Sequence, residues 1–272
     1  MATTADYLIA LRQDRNNYEK KLSDYGIETT NLTFTQMNEK LKYFTFNYIS
    51  FYSYGGIDLT YETKRLNTDF ITNMAHMFSH SGNLTSLDVS NWNTSNVTSM
   101  ANMFSYCYDL TNLNVLNWNT NNVTSIANMF FYCRNLKTLD LSKWNTSSVK
   151  QLNNAFGYCL NLVNLNVSNW NISKVTDLTS VFGDCRNLID LDISNWNVSN
   201  VINMRGLFDS CNNLSAAAIQ SICNMCINAI NAKYKNLKNT NYYSPFYWTN
   251  INIINIVDSN ILNKLSEGGW TW

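Results

Sequence analysis

Residues 110–135 read LTNLNVLNWNTNNVTSIANMFFYCRN, and the chain repeats this 26-residue pattern five times without an insertion. Trp92, Trp118, Trp144, Trp170 and Trp196 keep that step, as do Phe78, Phe104, Phe130, Phe156, Phe182 and Phe208. Cys107, Cys133, Cys159, Cys185 and Cys211 fill another column, and Val97, Val123, Val149, Val175 and Val201 a fourth. A fixed period of this length builds a stack in which each apolar side chain meets its counterpart in the next unit.

Each unit opens with Leu-x-x-Leu-x-apolar, as in Leu110, Leu113 and Val115 or Leu136, Leu139 and Leu141. This is the strand half of a leucine-rich repeat. Asn-Trp-Asn or Lys-Trp-Asn follows, then a polar turn such as Thr94, Ser95 and Asn96. Apolar residues return at Val97, Met100, Phe104 and Cys107, with steps of three and four that predict a helical return leg. The expected fold class is therefore an α/β solenoid, leucine-rich-repeat-like, with one short parallel β-strand and one short helical return leg per repeat. A single unit buries too little apolar surface to offset the entropy of ordering its backbone, so stability must come from contact between units.

The flanks break the pattern. Residues 1–42 read as a helical hairpin for attachment or capping: Tyr7, Leu8, Leu11, Tyr18 and Leu22 mark one helix, Gly26 a break, and Thr33 to Gln36 a capping box ahead of Met37 and Leu41. Residues 43–73, rich in Tyr and Phe, are expected to form an atypical first rung, and 74–214 the repeat proper. Residues 215–272 are expected to form a C-terminal cap, led by an amphipathic helix through Ala218, Ile219, Ile222, Cys223, Cys226 and Ile230.

Only 14% of residues are charged, 19 basic and 19 acidic, so Asn, Ser and Thr meet the water. Such a balance offers little attraction to phosphate and no basic run for an anionic bilayer, so neither nucleic acid nor membrane insertion is expected. Met1 to Ala10 lacks the basic start and apolar stretch of a secretory signal. The chain is accordingly expected not to export or anchor itself. Five of the seven cysteines share one column, which reads as a small apolar filler with free buried thiols.

Two candidate binding faces emerge. Asp88, Asn114, Asp140, Asn166 and Asp192 occupy the outward strand position, and their short polar groups suit sugar hydroxyls as well as plain solvation. On the return leg, Tyr106, Tyr132 and Tyr158 follow His80, with Tyr108, Arg134 and Arg186 in a neighbouring column. Tyr and Arg suit a glycan or protein contact, and equally the shielding of backbone. Cys223 and Cys226 form Cys-x-x-Cys without a second pair, and His76 and His80 align with ordinary repeat positions, so no metal or cofactor is expected. A carboxylate pair for glycoside cleavage needs a pocket and a raised pKa, which an open regular strip does not provide, so no catalytic residue is expected. Asn-x-Ser/Thr keeps the period in two turn columns, Asn96 and Asn122 in one and Asn145, Asn171 and Asn197 in the other, and reads as turn chemistry.

Residues 74–214 resemble the BspA-like branch of leucine-rich repeats, the 26-residue repeat of bacterial surface proteins. Met100, Met103, Phe104, Cys107, Leu110, Leu113, Val115, Trp118, Asn119, Thr120 and Val123 carry the resemblance. Trp follows the strand where the ordinary pattern has Asn or Cys, so a standard asparagine ladder is not expected. The segment from Tyr7 through Leu11, Asp14, Leu22 and Gly26 to Leu41 is similar to N-terminal segments of phage tail and receptor-binding proteins. Ser244, Pro245, Phe246 and the terminal Gly268 to Trp272 are similar to endings found in such proteins. The resemblance implies a non-catalytic recognition or adhesion module. Its expected setting is a virion, on a phage tail that contacts a host surface glycan or protein, with residues 1–42 meeting other virion proteins. A bacterial cell-surface adhesin and an intracellular protein-interaction scaffold remain alternatives.

Overall fold

A computed structural model of the chain describes residues 68–69, 71–231 and 257–267. The hairpin expected over 1–42, most of the first rung and the terminal Gly268 to Trp272 lie outside the described residues.

The repeats pile up as parallel rungs. Strands β1 (Thr138–Asp140), β2 (Asn164–Asn166) and β3 (Asp190–Leu191) form a parallel sheet in that order. Leu139 pairs with Leu165 and Leu165 with Leu191, so the register is the sequence period. A parallel bridge from Asn112 to Thr138 continues the sheet into the preceding rung. Along each strand the middle leucine is buried and its neighbours are exposed, as period-two alternation on a half-covered sheet requires.

Inside, like meets like. Successive Phe rings from Phe78 to Phe208 lie 5.4–5.8 Å apart with nearly parallel planes. The five indoles from Trp92 to Trp196 stack at 6.0–6.4 Å. Offset stacking of this kind contributes beyond area burial alone. Indole N–H groups also tie rungs together: Trp118 Nε1 donates to Val89 O (3.0 Å), Trp144 to Val115 O (3.0 Å) and Trp196 to Val167 O (3.1 Å). Trp170 Nε1 is buried without a hydrogen-bond partner among the described residues.

The cysteines are more than fillers. Each thiol of the column donates to the carbonyl of the Phe one rung earlier, from Cys107 to Phe78 O (3.1 Å) through Cys211 to Phe182 O (3.0 Å). Burial pushes the Cys107 thiol up to about 12, and Cys133, Cys185 and Cys211 well above their ordinary value, so all remain protonated donors.

The return leg is not helical, contrary to the spacing of its apolar residues. From Met74, alternate N–H groups reach the next rung: Met74 to Ser99 O, His76 to Ala101 O, Phe78 to Met103 O and His80 to Ser105 O. The intervening N–H groups of Met77, Ser79 and Ser81 close tight turns onto Met74 O, His76 O and Phe78 O. His76 (φ 61°) and His80 (φ 64°) take left-handed backbone at the third position of two of these turns, the geometry of a type II turn. Asn102 and Tyr106, Asn128 and Tyr132, and Asn154 and Tyr158 repeat it. The helix loses because a helix satisfies its own N–H groups, whereas this spiral of turns turns half of them toward the neighbouring rung.

Amide side chains form a ladder after all, at a different place from the standard one. Asn213 Nδ2 donates to Asn187 Oδ1, Asn187 to Asn161, Asn161 to Asn135 and Asn135 to Asp109, at 3.2–3.4 Å. Asn145, Asn171 and Asn197 cap their own turns, each Oδ1 accepting from the N–H two residues on (3.1 Å). The Asn-x-Ser/Thr triplets there are turn chemistry, as their period implies.

At the C-terminal end, α1 (Ala216–Asn231) lies against β3. Ser215 Oγ caps it by accepting from Ala218 N (3.2 Å). Ile219, Ile222, Cys223 and Cys226 are buried, so the Cys-x-x-Cys pair belongs to the core. Ser221 Oγ accepts from Ile193 N (2.6 Å), replacing the partner that a further rung would bring. Helix α2 (Ser259–Glu267) packs on α1 through buried Leu265.

Two outcomes follow from this core. Trp144→Ala removes an indole stacked at 6.3 Å on both Trp118 and Trp170, and denaturant unfolding should register a loss of about 3–5 kcal/mol. A loss under about 1 kcal/mol would mean the ladder is not what holds adjacent rungs. The thiol column makes stability fall with rising pH. The unfolded thiols ionise near their ordinary 9.0 while Cys107 holds its proton to about 12, so the folded state binds more protons across that window. Unfolding free energy should drop there by about 1.4 kcal/mol per pH unit per thiol, and a flat profile from pH 9 upward would contradict the assignment.

Candidate binding surfaces

The five outward strand residues named from sequence lie in one trough on the strand side, split in two along its length. The larger part, about 840 Å³, runs over Asp88, Asn114, Asp140 and Asn166, with Ser86, Asn112, Thr138 and Asn164 as its second polar column. A smaller part, about 640 Å³, lies over Asn166, Asp190 and Asp192 and is walled by α1 residues Gln220, Ser221 and Asn224. Buried Leu113, Leu139, Leu165 and Leu191 form the floor.

Every member of the first column also has a local task. Oδ1 accepts from the backbone N–H two residues on: Asp88 from Ser90 (3.1 Å), Asn114 from Leu116 (3.4 Å), Asp140 from Ser142 (3.0 Å), Asn166 from Ser168 (3.4 Å) and Asp192 from Ser194 (3.0 Å). These bonds fix the side chains at the exit of the strand and leave Nδ2 of Asn114 and Asn166, and Oδ2 of Asp140 and Asp192, for other use. The Ser142 N–H, with the Ser142 hydroxyl, holds the Asp140 carboxyl below its ordinary value, and Ser194 does the same for Asp192.

The aromatic column is a second, separate surface. His80 stacks on Tyr106 (4.5 Å), Tyr106 on Tyr132 (5.1 Å) and Tyr132 on Tyr158 (4.2 Å). Their faces cover one another, so the column offers ring edges and hydroxyls. Phe131 braces it edge-on against Tyr106, Tyr132 and Tyr158. All four stacked residues hold left-handed backbone, a conformation that costs roughly 1–2 kcal/mol in a residue other than glycine. Inter-rung bonds such as Tyr132 N to Gly157 O (2.9 Å) offset that strain.

The two arginines, placed together by sequence, have different jobs. Arg134 lies 5.1 Å from the Tyr108 ring and 5.0 Å from the Tyr132 ring, a cation–π clasp. Arg186 instead grips Asp184 through Nε (3.1 Å) and Nη2 (2.8 Å). Asp184 occupies the tyrosine column one rung beyond Tyr158. Burial raises the Tyr158 pKa first, and the Asp184 charge raises it further. Asp209 is likewise raised by burial and then by Asp184.

The sequence matches the family described as Mycoplasma protein of unknown function, DUF285, over residues 48–162 and 124–242. The chain belongs to this family. Two overlapping matches are what a repeating pattern produces, and both candidate surfaces fall within them. No curated protein and no solved structure matches the chain. Among the described residues, no helix of this DUF285 member is long and apolar enough to cross a membrane.

Amide ladder and thiol donors escaped the sequence reading, although an Asn ahead of the first strand leucine recurs at Asn135, Asn161, Asn187 and Asn213. The Asp184 position is directly testable. Asp184→Ala should lower the Tyr158 pKa toward its ordinary value, read as phenolate absorbance against a Tyr158→Phe reference. An unchanged titration would separate the two groups.

Proposed function

We propose that this protein is a non-catalytic recognition module, a BspA-like leucine-rich solenoid that contacts a cell surface. One observation supports the reading above others: a rigid stack carries two continuous, partly exposed rows of hydrogen-bonding side chains, the strand trough and the aromatic flank. Rows in register suit extended partners, and rigidity lowers the entropy lost on binding. The trough carboxylates at Asp140 and Asp192 are held low, opposite to the raised pKa that a general acid for glycoside cleavage needs.

The carrier we favour is a phage tail or tail-associated protein, because residues 1–42 and the tail resemble segments of such proteins. The host surface then supplies a glycan or a protein as partner. Peptides of this chain in purified particles would support that setting.

Binding of the labelled chain to intact bacterial cells tests the reading. Asp140→Ala acts on the trough and Tyr132→Ala on the flank. At least one should weaken binding about tenfold, equivalent to about 1.4 kcal/mol, while Asp140→Ala loses no more than about 1 kcal/mol of stability, the worth of its turn bond from Ser142 N. If neither alters binding, both surfaces are wrong.

A further inference from the structure

The trough has a period that the rest of the chain does not share. Its strand triplets are Ser86-Leu87-Asp88, Asn112-Leu113-Asn114, Thr138-Leu139-Asp140, Asn164-Leu165-Asn166 and Asp190-Leu191-Asp192. Even rungs carry amides at both outward positions, and odd rungs carry a hydroxyl or acid followed by Asp. Keeping carboxylates apart explains Asp against Asn in the second outward column. It does not explain Asn112 against Ser86 and Thr138, where no charge needs separating; Asn164 also faces the Asp190 carboxylate one rung on (3.3 Å).

Duplication of a double unit does not explain it either, since neighbouring columns ignore the beat. Thr85, Thr111, Lys137, Val163 and Ile189 show no alternation, nor do Ser90, Leu116, Ser142, Ser168 and Ser194. The two-rung repeat belongs to the two outward strand columns and is absent from the columns beside them, including the trough-lining Leu116, Ser142 and Ser194.

The turn-capping bonds sharpen the alternation into chemistry. With Oδ1 engaged by the backbone, Asn114 and Asn166 retain the Nδ2 donor, whereas Asp140 and Asp192 retain the Oδ2 acceptor. Donor and acceptor therefore alternate rung by rung along the stack.

From this we infer that the trough binds an extended β-(1→4)-linked glycan of neutral or N-acetylated sugars, lying along the stack axis with one sugar per rung. Successive sugars in such a chain are flipped, so each substituent recurs every second ring. Two rungs advance about 10 Å from the spacing of adjacent strands, comparable to two rings of that chain. An extended peptide advances about 6.6 Å per two residues and falls out of step. Carboxylates line the trough and no Lys or Arg does, which disfavours nucleic acid and polyanionic sugars.

The inference rests on the recognition reading and is tested apart from it. Titration calorimetry compares β-(1→4)-linked N-acetylglucosamine oligomers of two, four and six rings with α-(1→4)-linked glucose oligomers of equal length. Affinity for the β series should rise about tenfold or more from two rings to four, and the α series should not bind. Asn112→Thr with Asn164→Thr erases the alternation in the first outward column without adding charge and suits an exposed strand. Its unfolding equilibrium should shift by no more than about fivefold, equivalent to about 1 kcal/mol, the worth of the exposed amide contact from Asn164 to Asp190. It should lose about tenfold in affinity for the six-ring β oligomer. No binding to the β series, equal binding to the α series, or full affinity in the double variant overturns the inference. Wild-type cell binding that persists in those cases leaves the recognition reading standing.

Discussion

Hydrogen bonds between rungs govern this structure. On the return leg, Phe104 N donates to Met129 O, Phe130 N to Ala155 O and Phe156 N to Val181 O, each spanning one period. Such a bond forms only if the next rung brings a carbonyl to the same place, so every rung must have the same length. The constant 26-residue step is thus a geometric condition. Once it is met, identical side chains fall above one another and the ladders of Phe, Trp, Cys and Asn follow without further instruction.

The same condition determines where function can sit. Inward columns are fixed by neighbours on both sides: Phe130 lies between Phe104 and Phe156, and Cys133 donates backward to Phe104 O. Outward columns are held on one side only, and there the residues vary. The trough varies with a two-rung beat, whereas the tyrosine column ends at Asp184 and its grip on Arg186. Variation on an invariant scaffold is how a repeat protein presents a surface.

Much of this was legible in the sequence because the period is exposed in the rarest residues. The Trp and Phe columns predicted stacked rings, and the inward leucines of the strand predicted its pairing register. The strand polar residues fall along one trough in two parts. Legibility failed where local spacing imitates another structure. Val97, Met100, Phe104 and Cys107 step by three and four as on a helix, yet their N–H groups divide between turns and the next rung. A signal against the helix was present in the column His76, Asn102, Asn128, Asn154, Ser180 and Gly206, rich in residues that accept left-handed backbone. Tyr106 and Tyr132 gave no such warning, since tyrosine rarely adopts that conformation and holds it here only because the ring above and the carbonyl beyond are in place.

Equal rung length, rather than any single contact, sets the fold. Deletion of residues 138–163 removes one whole period and joins two rungs in register, whereas deletion of 138–162 leaves every later rung one residue out of step. The first deletion should keep native hydrogen-exchange protection at Phe104, Met129 and Phe182 with one cooperative unfolding transition. The second should lose protection on at least one side of the junction. Equal protection in both, or loss in both, would show that rung length does not set the fold.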